Sequence, residues 1–148
     1  MRDEPGYHPN AYHADLLTAL ELLSANGNNR ARAREILEGI PEDAFATQAY
    51  LLDERNYRLA ECYMLERKNM LGKQYYGKVL VSNTSALSFL ARIHLSELYE
   101  KTGDREAAMK ELGTVASLGQ YTPFAYEASI KRLSLLLLSN DSLEIAKE

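Results

Sequence analysis

The chain has 148 residues, 46% apolar and 26% charged, with a net charge of -4, a composition that suits one soluble domain with a substantial core. Its 17 basic residues are scattered among 21 acidic ones, so it lacks the clustered cations that nucleic-acid phosphates require. The longest apolar run, Leu135 to Leu138, is far too short to span a membrane. The opening Met1-Arg2-Asp3-Glu4-Pro5-Gly6 is polar where a secretory leader would be apolar, which favours a cytoplasmic setting. Cys62 is the only cysteine; no internal disulfide can form, and a buried, inert thiol is expected.

Apolar residues recur at intervals of three and four throughout, and no stretch alternates with period two for long, so every element is expected to be helical. Glycine, asparagine and proline break the pattern into helices at roughly 10–25, 30–38, 43–66, 69–81, 84–101, 104–117 and 122–139, with a stub at 141–147. Asp43, Thr84, Asp104 and Thr122 are the expected caps, and Pro123 suits a first helical turn. The third segment is about ten residues longer than its counterparts; it is either an extended first turn or two helices broken near Leu52-Asp53.

One pattern recurs. Leu59-Ala60-x-x-Tyr63 is followed by Gly72, Tyr76 and Val79, and Leu95-Ser96-x-x-Tyr99 by Ala108, Leu112 and Val115, each copy starting 36 residues after the last (59 to 95). In both, a small residue stands nine positions after the tyrosine. A looser first copy has its turn at Gly27, then Ala33, Leu37 and Ile40; a last one runs Leu133-Ser134-x-x-Leu137 with Ala146 nine further on. Small residues at fixed intervals let helix axes approach closely, while tyrosines fill the space between neighbouring pairs.

These residues resemble the tetratricopeptide repeat family over nearly the whole chain, best at Tyr99-Glu100-Lys101-Thr102-Gly103-Asp104 with Glu106-Ala107-Ala108. The chain departs from the family in lacking tryptophan, in the position of its prolines, and in a period above the usual 34 or so. The resemblance implies an all-α solenoid of antiparallel helix pairs, three pairs plus a partial fourth, with repeats at about 10–41, 43–81, 84–120 and 122–148; an unrelated helical bundle is the alternative. It further implies a non-catalytic scaffold or adaptor whose concave groove is lined by the first helix of each pair. Transferred position by position, that groove holds Leu17, Glu21, Glu54, Tyr57, Glu61, Met64, Leu90, Ile93, Glu97, Glu100, Lys101 and Lys131. Its apolar floor and carboxylate rim suit a protein or peptide with apolar anchors and a Lys or Arg. The family's carboxylate-gripping positions fall on Leu17, Glu21, Arg58, Leu90 and His94, where only Arg58 is dependably cationic, so a C-terminal carboxylate is not an expected ligand.

No enzyme, cofactor or metal is expected. His8, His13 and His94 fall into no ligand spacing, no nucleophile elbow is present, and Asn26-Gly27-Asn28-Asn29 lacks the lysine and glycines of a phosphate loop. Asn83-Thr84-Ser85 and Asn140-Asp141-Ser142 match the glycosylation pattern, but helix capping accounts for both. Leu133, Leu135, Leu136, Leu137 and Leu138 put leucine nearly all round the last helix. That predicts a face covered by a second copy, by a partner or by further repeats, and an alternative role as an architectural dimerisation domain.

Overall fold

The computed structural model describes residues 10–25, 29–82 and 85–147, and among these every regular element is helical. The elements are α1 (Asn10–Ser24), α2 (Arg30–Glu38), a 3-10 turn (Glu42–Phe45), α3 (Ala49–Leu65), α4 (Asn69–Val79), a second 3-10 turn (Leu80–Ser82), α5 (Ala86–Lys101), α6 (Arg105–Leu118) and α7 (Pro123–Lys147). No helix among the described residues is long and apolar enough to cross a membrane. The chain divides into two compact units, Met1–Tyr75 and Tyr76–Glu148.

The first unit is built on Leu16 and Ala19 of α1, Ala33 and Leu37 of α2, and Leu59 and Tyr63 of α3, joined by Ile40 and Phe45 from the connection. Ala33 and Ala60 are fully buried, as expected of side chains chosen for close helix approach. At Gly72 a Cβ would lie 2.5 Å from Sδ and 2.8 Å from Cγ of Met64, and 3.5 Å from the Ala60 carbonyl oxygen. Glycine there admits α4 to the surface of α3. Arg34 ties α2 to α3, donating to Glu66 at 2.9 Å and to Glu38 at 2.9 Å, and the Tyr63 hydroxyl donates to Glu38 at 2.7 Å.

The long third segment resolves into the 3-10 turn and α3, parted at residues 46–48 rather than at Leu52-Asp53. Asp43 lies inside the 3-10 turn, whose preceding residue is Pro41, and is not a helix cap. The break sets Phe45 in the core, edge-on to the His13 ring at a centroid distance of 5.3 Å. His13 Nε2 then meets the Gln48 Oε1 atom at 2.7 Å, which holds the start of α3 to α1.

In the second unit Phe89 and Ile93 of α5, Ala108, Leu112 and Val115 of α6, and Ala128 and Leu135 of α7 form one cluster. Tyr99 packs against it half-buried. Asp104 caps α6 by accepting the Ala107 N–H at 3.0 Å, and Thr122 Oγ1 receives the Ala125 N–H at 3.4 Å ahead of Pro123. Ser85 caps α5, accepting from the Ser88 N–H. Thr84, the expected cap, and Gly27, the expected first turn, lie outside the described residues, as does His8. α7 runs unbroken through 139–141, where a stop was expected. Serine, asparagine and aspartate each cost only a few tenths of a kcal/mol inside a helix, and without Gly or Pro they do not end one.

α3 and α5 end in the same turn. Lys68 N–H donates to the Tyr63 carbonyl at 2.8 Å and Arg67 N–H to that of Met64 at 3.0 Å; Asp104 N–H donates to Tyr99 at 2.8 Å and Gly103 N–H to Glu100 at 3.0 Å. The residue after each cap is left-handed, Arg67 at φ 61° and Gly103 at φ 82°, the αL geometry that closes a helix by satisfying its last carbonyls. Glycine takes that geometry freely at 103; Arg67 bears a steric cost of about 1–2 kcal/mol for it.

Candidate functional site

A concave feature of the first unit lies between α1 and α3. It is a cleft of about 330 Å³ lined by Leu20, Leu23 and Ser24 of α1 and by Glu54, Arg58, Glu61, Cys62 and Leu65 of α3. The helical period explains the lining. Leu16 and Ala19 turn into the core, which leaves Leu20 and Leu23, one step round the helix, at its margin. On α3, Leu59 and Tyr63 take the core face, and positions 54, 58 and 61, four and three apart, form the neighbouring stripe.

That stripe is an ion-paired ladder. Arg58 Nε donates to Glu54 at 2.9 Å and its terminal nitrogen to Glu61 at 3.2 Å. The guanidinium also lies over the Tyr57 ring, 5.4 Å from its centroid. Burial pushes the Tyr57 hydroxyl's pKa up, helped by the charge of Glu61, with which it is hydrogen-bonded. Cys62 forms part of the floor; burial first, then the nearby Glu66 and Glu61, push its thiol up to about 11. Such a thiol is protonated at neutral pH and a poor nucleophile.

Of the expected groove residues in this unit, Glu54 and Glu61 line the cleft. Tyr57 does not: it is 4% exposed and offers a partner almost no surface. Met64 is half-buried over Gly72, while Leu17 and Glu21 are exposed and outside the lining. Sequence reasoning missed Leu20, Leu23 and Leu65, although Leu20 and Leu23 stand three apart on one face of α1. It also missed that Arg58 would neutralise part of the carboxylate rim.

In the second unit Ile93 is core, 2% exposed, and not a groove residue. Leu90 is half-buried, and Glu100 and Lys101 are exposed at the end of α5. Glu97 and Lys131, 34 positions apart, do meet: Lys131 Nζ donates to Glu97 at 3.1 Å, joining α7 to α5. His94 stands on the other side, Nδ1 3.6 Å from Glu97, with its ring stacked on Tyr76. Among the described residues no group of three or more His, Cys, Asp or Glu could hold a metal ion.

The His94 imidazole, and then Lys131, hold the Glu97 carboxyl down to about 2 from its ordinary 4.5. A depressed carboxyl contributes stability above its unfolded pKa and loses it as protons bind the folded state. The α5–α7 tie is therefore expected to be fully present above about pH 4.5 and to weaken progressively toward about pH 2. Acid unfolding of wild type and Glu97→Gln, followed by circular dichroism, checks this. The two should converge at low pH, the wild type being the more stable above the window.

On the last helix, Leu135 is 5% exposed and packed in the core, so it is not part of an outward face. Leu133, Leu136, Leu137 and Leu138 are 57%, 48%, 56% and 50% exposed. The frame Leu133-Ser134-x-x-Leu137 thus points outward where its counterparts at 59–63 are buried.

No protein-family model, curated protein or solved structure matches this chain.

Proposed function

We propose that this chain is a non-catalytic, helical-repeat binding module of the tetratricopeptide kind, which takes a protein segment carrying an apolar side chain beside a lysine or arginine. The repeat reading is supported by the burial of Leu59, Ala60, Tyr63, Gly72, Tyr76 and Val79 and of their counterparts Leu95, Ser96, Ala108, Leu112 and Val115. The identical helix-ending turns at Arg67 and Gly103, again 36 positions apart (67 to 103), support it further.

The observation that carries the binding reading is the cleft between α1 and α3. Leucines furnish its walls, and two carboxylates share one guanidinium, leaving one net negative charge beside apolar surface. A cationic side chain would complete the charge balance while a neighbouring aliphatic one fills the cleft. Neither the inert thiol nor the paired carboxylates offer a nucleophile or a general base.

Selection of displayed random peptides on the purified chain tests this. Enriched peptides should pair Leu, Ile or Met with Lys or Arg. Their binding should fall at least about tenfold on Leu65→Asp, which changes an exposed cleft wall, and about threefold to tenfold on Glu61→Gln. Enrichment of acidic peptides, or binding indifferent to Leu65→Asp, would overturn the assignment.

A further inference from the structure

We infer that Arg58 is an internal stand-in for the ligand's cation: it occupies the two carboxylates of the cleft in the free protein, and an arginine of the bound segment takes its place. That role rests on the reading of the cleft between α1 and α3 as the binding site.

Arg58 differs from the arginines that tie helices together. Arg34 joins α2 to α3 through Glu66, and Arg92 joins α5 to α6 through Glu111. Among the described residues, the partners of Arg58 are Glu54, Glu61 and the Tyr57 ring, all on its own helix. The side chains of Arg58, Glu54 and Glu61 are 33%, 24% and 33% exposed, and ion pairs at this helical spacing within reach of water are weak. The guanidinium can therefore swing into water without breaking a tie between helices.

The carboxylates do not depend on Arg58 for their place. Glu54 and Glu61 belong to one helical stripe of the cleft lining, and Glu61 is also hydrogen-bonded to the hydroxyl of the buried Tyr57. With Arg58 turned out, two negative charges would face the same apolar cleft, so the empty cleft keeps its own cation in. A ligand's cation removes that penalty and frees Arg58 to leave. An arginine suits the place better than a lysine. Its planar fork carries separate N–H groups for the two carboxylates, the grip that Arg58 now makes through Nε and a terminal nitrogen, whereas an ammonium is a point charge. Arg58 thus competes with the ligand and weakens the binding of basic segments.

The probe is a peptide enriched on the full chain from a displayed random library, used in its arginine form and with that arginine replaced by lysine or norleucine. Arg58→Met keeps an unbranched apolar stem and removes the charge. It should bind the arginine peptide at least about tenfold more tightly than wild type, with a steeper loss on added salt. It should also prefer arginine to lysine by about threefold or more. Norleucine peptide should bind the two chains within about twofold, which separates lost competition from added apolar surface. Arg58→Lys should fall between wild type and Arg58→Met. Helical circular dichroism of Arg58→Met should match wild type, and its loss would show that the fold needs the guanidinium and refute the stand-in role. Unchanged or weaker arginine-peptide binding by Arg58→Met, a gain that the norleucine peptide keeps, or no preference for arginine would refute it too. In those cases the cleft assignment survives wherever Leu65→Asp still weakens binding. A library that yields no basic peptide on either chain defeats both.

Discussion

Phe45→Ala is expected to lower the stability of the folded chain by about 3–5 kcal/mol, the cost of emptying a buried aromatic site. Phe45 is 3% exposed and sits among Leu16, Leu37, Ile40 and Leu59. It reaches that place from a four-residue 3-10 turn, whose few backbone hydrogen bonds cannot hold its position alone. The side chain anchors the turn, and the turn sets the entry of α3, whose Gln48 is bonded to His13. Removing the ring therefore releases the connection as well as leaving a cavity, and little local relaxation can offset the loss. Urea unfolding followed by circular dichroism gives the difference directly. Phe45→Leu, which keeps most of the volume, should recover more than half of it. A loss below about 1 kcal/mol for the alanine variant would mean that the 3-10 turn is not anchored through this residue.

The second large effect is expected at the ion pair between α5 and α6. Arg92 donates to Glu111 at 2.7 Å, and the two side chains are only 13% and 14% exposed. Glu111→Leu removes a carboxylate 2.7 Å from the guanidinium where water has little access, and should cost about 3 kcal/mol. The double variant Arg92→Met with Glu111→Leu should lie within about 1 kcal/mol of wild type, because two apolar side chains replace the pair without leaving a charge behind. Added salt should barely alter the single-variant loss. The exposed pair Arg32–Glu35 makes the contrast: at 69% and 58% exposure, Glu35→Ala should change stability by no more than about 1 kcal/mol. Thermal unfolding of the three variants beside wild type reads all of these. If the double variant were as unstable as the single one, packing rather than charge would be the cause.

The periodic features of this fold are legible in the order of its residues. Helical spacing locates the seven α-helices among the described residues, and the large-small-x-x-aromatic block names residues that are buried: Ala60, Tyr63 and Gly72, with Ser96 and Ala108 in the second copy. Asp104 reads correctly as a cap because its side chain needs nothing beyond the three residues that follow it. Such features are local, and nearest neighbours along the chain determine them.

What fails depends on contacts between segments far apart in the chain. The run Leu135 to Leu138 gives a helix no phase, since leucine at every position suits any rotation; Ala128 and the surface of α6 decide that Leu135 turns inward and Leu133 and Leu137 outward. Tyr57 and Ile93 carry the right spacing for an exposed stripe, yet packing buries both. The net charge of the candidate cleft is likewise hidden from composition, because Arg58 closes onto Glu54 and Glu61 through rotamers that spacing permits but does not select. The amino-acid order by itself determined that this protein is helical, where its helices lie apart from the start of α3 and the end of α7, and which small residues let them approach. Only tertiary structure decided which way each face points, because the rotation of a helix about its own axis is set by the surfaces it meets.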